Sequence, residues 1–411
     1  MRRVVVTGMG VTSPIGNTVD EFEAGLFSGR NGIGPISRFD TSDSATKIAG
    51  EVRDLDVDAL MTTQQARKMD LFTIFAMAAA EQALSQAGIP GQIDPNRIGV
   101  IVGSGIGGIQ ALEDSHRILL ERGPRRISPF FVTKLIADIA AGQIAIRYGL
   151  KGPNYCVTSA CATASNSIGD AYRLIVFDDA DVILAGGCEA PITPIAVAGF
   201  TSMKAVSRNQ DPEVACRPFD AQRDGFVMSE GAGLLVLEEL RHAEQRGATI
   251  FGELVGYGAT ADAYHVTAPA EGGEGAARAM ALAIKGAGIA ADEVGYVNAH
   301  GTSTPHNDKN ETIAIKTVFG AHATNGLIVS STKSMTGHML GAAGGAEAIA
   351  TLLALKRQEI PATIHYAHPD PECDLNYSPN SPTAHSFEYG LSNAFGFGGH
   401  NAVLLFKRFS A

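Results

Sequence analysis

The chain has 411 residues, 45% of them apolar, with 47 glycines, no tryptophan, and 32 basic against 43 acidic side chains for a formal charge of −11. That length holds two ordinary domains or one large fold in two halves, and nothing in the composition argues for disorder. The acidic balance argues against binding nucleic acid or anionic membrane except through a local basic cluster. Five cysteines without a CxxC pair argue against a disulfide framework or zinc knuckle and fit a reducing cytosol.

The first predicted element is a buried strand, Arg3–Thr7, whose apolar run stops at Gly8, with Pro14 and Asn17 following. It is too short for a signal peptide, and no later stretch reaches the ~18 apolar residues of a membrane span. Along the chain come a helix over Leu71–Ala87, a strand over Ile98–Val102, and a helix over Thr163–Val176. Strands over Val182–Ala185 and Leu234–Glu238 follow, then a helix over Gly275–Ala287. Strands over Val294–Asn298 and Ile328–Ser330, a helix over Gly345–Arg357 and a strand over Ala402–Phe406 complete the set. Such alternation predicts α/β layers around a largely buried sheet.

Three pairs of segments repeat in the same order. Ala78–Gly103 parallels Ala276–Gly301; Ser159–Ala171 parallels Gly337–Ala350; Arg223–Glu239 parallels Asn393–Arg408. The expectation is a duplication with halves 1–250 and 251–411, the seam falling near Ala248–Gly252 after a helix at His242–Arg246. Each half reads as βαβαβ plus a hairpin, packed through shared central helices.

Cys161 lies in Thr158–Ala164, between a strand-like segment and a helix of small residues. Free N–H groups at a helix start favour thiolate, which makes Cys161 a candidate nucleophile; the alternative is an inert buried thiol. His300 directly follows a buried strand, where α/β proteins place their sites. His338 enters the Ala/Gly-rich helix, where it should stay neutral and able to donate a hydrogen bond. Either could instead be a capping or core residue. His116 and His242 read as solvated helix positions, and without HxH or HExxH a catalytic metal site is not expected. Gly103–Gly108 matches GxGxxG after a strand. Alone it would propose a dinucleotide site, but it sits far into the chain and its counterpart is the turn at His300.

Nine segments taken together carry a family resemblance: VVVTGMGVTSPIG, GSGIGG, ISPFF, TSACATA, AGGCEA, RPFDAQRDGFVMSEGAG, NAHGTSTP, STKSMTGHMLGAAGG and SNAFGFGGHN. From end to end the chain resembles the β-ketoacyl–acyl-carrier-protein synthases of the thiolase superfamily, most closely the elongating synthase II group. The resemblance implies a thiolase-like fold of two duplicated halves in layered α-β-α-β-α arrangement. It implies that Cys161 takes an acyl chain as thioester, and that His300 and His338 bind malonyl thioester and promote loss of CO2. The resulting enolate then extends the chain by two carbons. An oxyanion hole would come from the backbone N–H groups of Cys161 and Phe397, with glycines around Phe397 letting its loop move.

Lys333 matches an electrostatic support near His338. Thr302 and Thr304 match the pair that holds the phosphopantetheine arm, and Ile106, Phe131, Phe200 and Phe397 match acyl-pocket or gating positions, Phe131 reaching in from a dimer partner. The resemblance requires no cofactor for the chemistry. It offers Asn298, Glu347, Ser392 and Asn393 as a candidate Na+ or K+ site, Glu347 alternatively being a structural carboxylate. Its partners are a second copy of the chain and an acidic acyl carrier protein, for which Arg67, Lys68, Arg125, Arg126, Lys204 and Arg208 are candidate docking cations.

His338 separates this chain from priming synthases, which place Asn there, and Cys373 lies outside the C-terminal cysteine motif of thiolases. A type II polyketide ketosynthase shares Cys-His-His and is the rival; an acyl-binding protein with a dead site is disfavoured by the intact set. The segment TPHNDKNET departs from common family usage, which is read as affecting partner details alone.

Overall fold

The computed structural model describes residues 2–91 and 93–410. Its main elements in the first half are β1 (Val4–Thr12), α1 (Leu71–Ala87), β2 (Ile98–Gly103), β3 (Asn154–Tyr155), α2 (Thr163–Val176), β4 (Val182–Glu189) and β5 (Gly231–Glu239). The second half supplies β6 (Gly252–Ala261), α3 (Glu274–Ala287), β7 (Val294–Asn298), α4 (Pro305–Phe319), β8 (Ile328–Ser330), α5 (Ala343–Arg357), β9 (Tyr389–Gly396) and β10 (His400–Lys407).

The ten strands run β8-β7-β9-β10-β6-β1-β5-β4-β2-β3. Each half therefore supplies five strands in one order, β1-β5-β4-β2-β3 and β6-β10-β9-β7-β8. The pairings match as well: β1–β5 and β5–β4 are antiparallel while β4–β2 and β2–β3 are parallel. In the second half β6–β10 and β10–β9 are antiparallel, β9–β7 and β7–β8 parallel. The two sheets are also joined edge to edge, by a short pairing of Val4–Val6 with Gly252–Leu254.

Helices α2 and α5 form the shared middle layer: α2 packs on β4 and β10, α5 on β5 and β9, while α1 and α3 cover the outer faces. α5 is buried from Ala343 to Leu355. A helix apolar all round is what an interior layer demands, and each fully buried Leu or Ile on it contributes about 1.5–3 kcal/mol. Among the described residues no helix is long and apolar enough to cross a membrane.

The sequence reading marked neither β6 nor β9. The glycines in β6 are there for packing. A Cβ at Gly258 would lie 1.9 Å from the Ala279 carbonyl oxygen of α3, and one at Gly10 of β1 would lie 1.9 Å from that of Ala79 in α1. Small strand residues let each outer helix rest directly on its sheet, in the same way in both halves. One histidine reading is corrected: His242 is not a solvated helix position, because its Nδ1 lies 2.6 Å from the buried Glu238 carboxylate.

Candidate active site

Cys161 sits in a 3₁₀ turn, Ala160–Ala162, immediately before α2. The turn is tight enough to hold Ala160 at φ +50°, and the matching turn before α5 holds Leu340 at φ +47°. Non-glycine residues in this region cost on the order of 1–3 kcal/mol and mark places where the fold overrides local preference. Gly396, at the end of β9, lies on the same turn: a Cβ there would approach the Cys161 nitrogen to 3.1 Å.

His300 follows β7. Four successive N–H groups of its turn are taken by carboxylates on α4: His300 and Gly301 donate to Glu311 at 2.8 Å each, and Thr302 and Ser303 donate to Asp308 at 2.9 and 3.1 Å. Burial pushes the Glu311 carboxyl up to about 7, and the N–H donors pull against it. Both carboxylates lie within TPHNDKNET, so the reading of that segment as irrelevant to the catalytic residues is corrected. The signal was available: Asp308 and Glu311, three apart, face one side of a helix beginning five residues beyond His300.

His338 is fixed through its backbone, which donates to Val227 O at 2.8 Å and accepts from Ser229 N at 2.9 Å. The three side chains converge. Cys161 Sγ and one nitrogen of each imidazole lie within 4.8 Å of one another, and the two rings meet edge to face with centroids 5.3 Å apart. All three residues are buried and line a cavity of about 310 Å³.

Burial holds both histidines well below their ordinary range, and Lys333 reinforces this. Lys333 Nζ donates to His300 Nδ1 at 3.4 Å and forms a buried ion pair with Glu347. That donor on Nδ1 leaves the His300 proton on Nε2. Lys333 thus contacts His300 and reaches His338 only through its charge. The thiol departs from the helix-start expectation: burial pushes Cys161 up to about 12, while Lys333 and the Phe397 N–H pull it down. Desolvation of a closed site outweighs the helix end.

Thr302 and Thr304 line the cavity with hydroxyls 2.9 Å apart, as do Ile106, Phe200 and Phe397. Phe131 does not line the cavity of its own chain. Of the candidate docking cations, Lys204 lies at the cavity wall; Arg67, Lys68, Arg125, Arg126 and Arg208 are exposed, Lys68 stacking over Phe130. Asn298 Oδ1, Glu347 Oε2, Ser392 Oγ and Asn393 Oδ1 are buried without a hydrogen-bond partner, Ser392 pairing with Asn298 across β9 and β7.

The GxGxxG turn has its own explanation. Glu189, at the end of β4, accepts from Ser104 Oγ at 2.7 Å, Gly105 N at 2.8 Å, Ile106 N at 3.0 Å and, across the halves, Gly341 N at 3.0 Å. The loop cradles an internal carboxylate, which leaves no place for a dinucleotide phosphate. Sequence reasoning missed Glu189, although it stands in AGGCEA. Glu189→Ala would strand four donors, two of them fully buried, and free the loop that carries Ile106. We expect a loss of about 2–5 kcal/mol, read as a lower urea midpoint, with a broadened preference for acyl length in the variant.

Residues 1–243 match the family model for the beta-ketoacyl synthase N-terminal domain, and residues 251–367 the model for the C-terminal domain. The chain belongs to the beta-ketoacyl synthase family. A 3-oxoacyl-[acyl-carrier-protein] synthase 2 of Synechocystis is 53% identical over 410 residues, covering 99% of this chain and 98% of that one. Among solved structures, a beta-ketoacyl synthase from Burkholderia phymatum superposes with TM-score 0.93 at 38% identity, covering both chains fully. A type II PKS ketosynthase, solved with its acyl-carrier protein and bound to a hexaketide, gives 0.91 at 34%, again over both chains. The thiolase-like layering of the fold accords with these neighbours.

Proposed function

We propose that the chain is a 3-oxoacyl-[acyl-carrier-protein] synthase that extends an acyl group held on Cys161 by two carbons taken from a malonyl thioester. The convergence of one buried thiol and two neutral imidazoles on a single cavity carries this reading. In the first half-reaction Cys161 sulfur attacks the acyl thioester, its proton passes to the departing carrier thiol, and the N–H groups of Cys161 and Phe397 hold the oxyanion. In the second, His300 and His338 donate to the malonyl thioester oxygen. The C–C bond to the carboxylate breaks, CO2 leaves, and the enolate carbon attacks the Cys161 thioester. Cys161 departs as thiolate and regains a proton from water. Imidazoles held neutral are what this step needs, since each must donate without itself being an acid strong enough to quench the enolate.

The fatty-acid reading is favoured over a polyketide one by 53% identity to a synthase 2 against 34% to the polyketide ketosynthase. Thr302 and Thr304 suit the amide-rich pantetheine arm, and Lys204, at the cavity mouth with Arg208 nearby in sequence, suits an acidic carrier; a charge-reversing Lys204→Glu should raise KM for carrier substrates. Homodimerisation is supported by exposed apolar residues Leu119, Leu120, Phe130 and Val132, which would bring Phe131 to the partner's cavity, and is read by sedimentation. Five free cysteines fit a cytosolic setting.

The four orphaned oxygens of Asn298, Glu347, Ser392 and Asn393 fit a bare monovalent cation, which those residues would hold and which would supply fixed positive charge. Its test is a rise in melting temperature with KCl that is absent in Asn393→Ala.

The reaction itself is tested by intact mass. A long acyl carrier thioester should add one acyl mass to the wild type and none to Cys161→Ala, and malonyl carrier should then discharge it as a 3-oxo product two carbons longer. Failure of any acyl length to label Cys161 would sink the proposal.

A further inference from the structure

We propose that Cys161, His300 and His338 also form a binding site for a soft divalent metal ion, zinc above all, and that the ion shuts the enzyme off reversibly by capturing its nucleophile. The binding rests on side-chain geometry alone, and the loss of activity rests on the reaction proposed above.

The donor set is one thiol and two imidazoles, all buried, with the ligating atoms within 4.8 Å of one another. Zinc takes sulfur at about 2.3 Å and histidine nitrogen at about 2.0–2.1 Å in a tetrahedral arrangement. Its ligands therefore sit roughly 3.3–3.7 Å apart, inside the 4.8 Å that bounds the present separations, so binding draws the three side chains together. His300 can offer Nε2 only as the tautomer protonated at Nδ1, so ligation gives up the 3.4 Å hydrogen bond that Lys333 Nζ donates to Nδ1, Lys333 keeping its ion pair with Glu347. His338 has a ring nitrogen, Nδ1, that is buried and unpartnered, so ligation by this ring breaks no bond that the other ring nitrogen makes. Three protein ligands leave a fourth position facing the cavity, open to water or chloride. No carboxylate or carbonyl oxygen belongs to the set, so hard ions such as magnesium and calcium find no match.

The surrounding charge is mixed. Lys333 opposes a dication, but its charge is offset by the ion pair with Glu347. The fields of Glu189 and Glu347 both act at the Cys161 sulfur; whatever disfavours a bare thiolate there favours a thiolate with a cation on it. Burial holds the imidazoles neutral, and each presents a lone pair to the ion by moving its N–H proton to its other ring nitrogen. Binding is a substitution without redox change: the Sγ–H bond breaks, the Sγ–metal bond forms, and the proton leaves to water. A cysteine already acylated has no free sulfur to offer, so metal capture falls on the resting enzyme.

Cobalt is the probe, since thiolate ligation gives it a near-ultraviolet charge-transfer band and tetrahedral geometry gives it visible bands. Metal-free wild type titrated with Co2+ should develop both, to one ion per chain, and Zn2+ should abolish them. Cys161→Ala should lack the charge-transfer band, and His338→Ala should bind Zn2+ at least about tenfold more weakly. Cys161→Ser, closer in shape, guards against a folding defect and should also lack the band. Zinc affinity unchanged in Cys161→Ala and Cys161→Ser, or cobalt spectra without the thiolate band in the wild type, would overturn the inference. An enzyme that elongates but binds no metal refutes this proposal alone; one that binds metal but does not elongate refutes only the reaction.

Discussion

His300→Ala should leave acyl transfer to Cys161 nearly intact while slowing malonyl decarboxylation by about 10²–10³-fold, the usual cost of one oxyanion donor. The split follows from position. The N–H groups that serve the acyl step belong to Cys161 and Phe397, whereas His300 Nε2 points its proton into the cavity because Lys333 holds the other side of the ring. Single-turnover acylation followed by mass and CO2 release from malonyl carrier would read the two steps separately. Equal loss of both would mean that His300 only shapes the site. The pH profile has a defined sign. A histidine held below 6.5 is still neutral as pH falls through 6.5, so decarboxylation should show no acid limb there and should fall only at lower pH. Lys333→Ala removes one of the causes that lower both histidines, and should move that limb upward toward 6.5 without reaching it, because burial remains.

The second large effect is on stability. Lys333 and Glu347 are buried together, and removing one member leaves a buried charge uncompensated. Lys333→Ala should cost about 3–5 kcal/mol in chemical denaturation. Lys333→Met with Glu347→Gln removes both charges and should recover much of that loss, while decarboxylation stays impaired through the histidines. Such a double-mutant cycle separates folding from function; additive losses in the double variant would show that the pair is not coupled.

Most of the fold was legible in the sequence because duplication writes it twice. Segments weak in isolation gained weight by recurring in order, and each of the three repeats contains a structurally equivalent strand or helix. What escaped was glycine-rich strand, as in β6, where the residue choice answers to a helix lying across the sheet and not to local chain preference. Cys161, His300 and His338 could be placed by their turns. The carboxylates Glu189, Asp308 and Glu311 were passed over, because an acidic residue in sequence looks solvated until the backbone donors that surround it are known; for Asp308 and Glu311 helical spacing alone hinted otherwise. The thiol's direction of shift was misjudged for a related reason: a helix start is visible in sequence, but the closure of the cavity over it is not.

The equivalence of the halves extends to single residues. Aligning Gly99 of β2 with Gly295 of β7 sets Ser104 opposite His300 and Gly105 opposite Gly301, and the twin turns at Ala160 and Leu340 set Gly341 opposite Cys161. The donors gathered by Glu189 are therefore the counterparts of catalytic positions. A duplicated fold of this kind has room for two reaction centres, and here the second lacks its nucleophile and its imidazole and is sealed by a carboxylate. Each chain thus keeps one centre of two, and placing Cys at Gly341 would bring the new Cβ within 2.4 Å of Glu189 Oε2 and 2.6 Å of the Gly105 nitrogen.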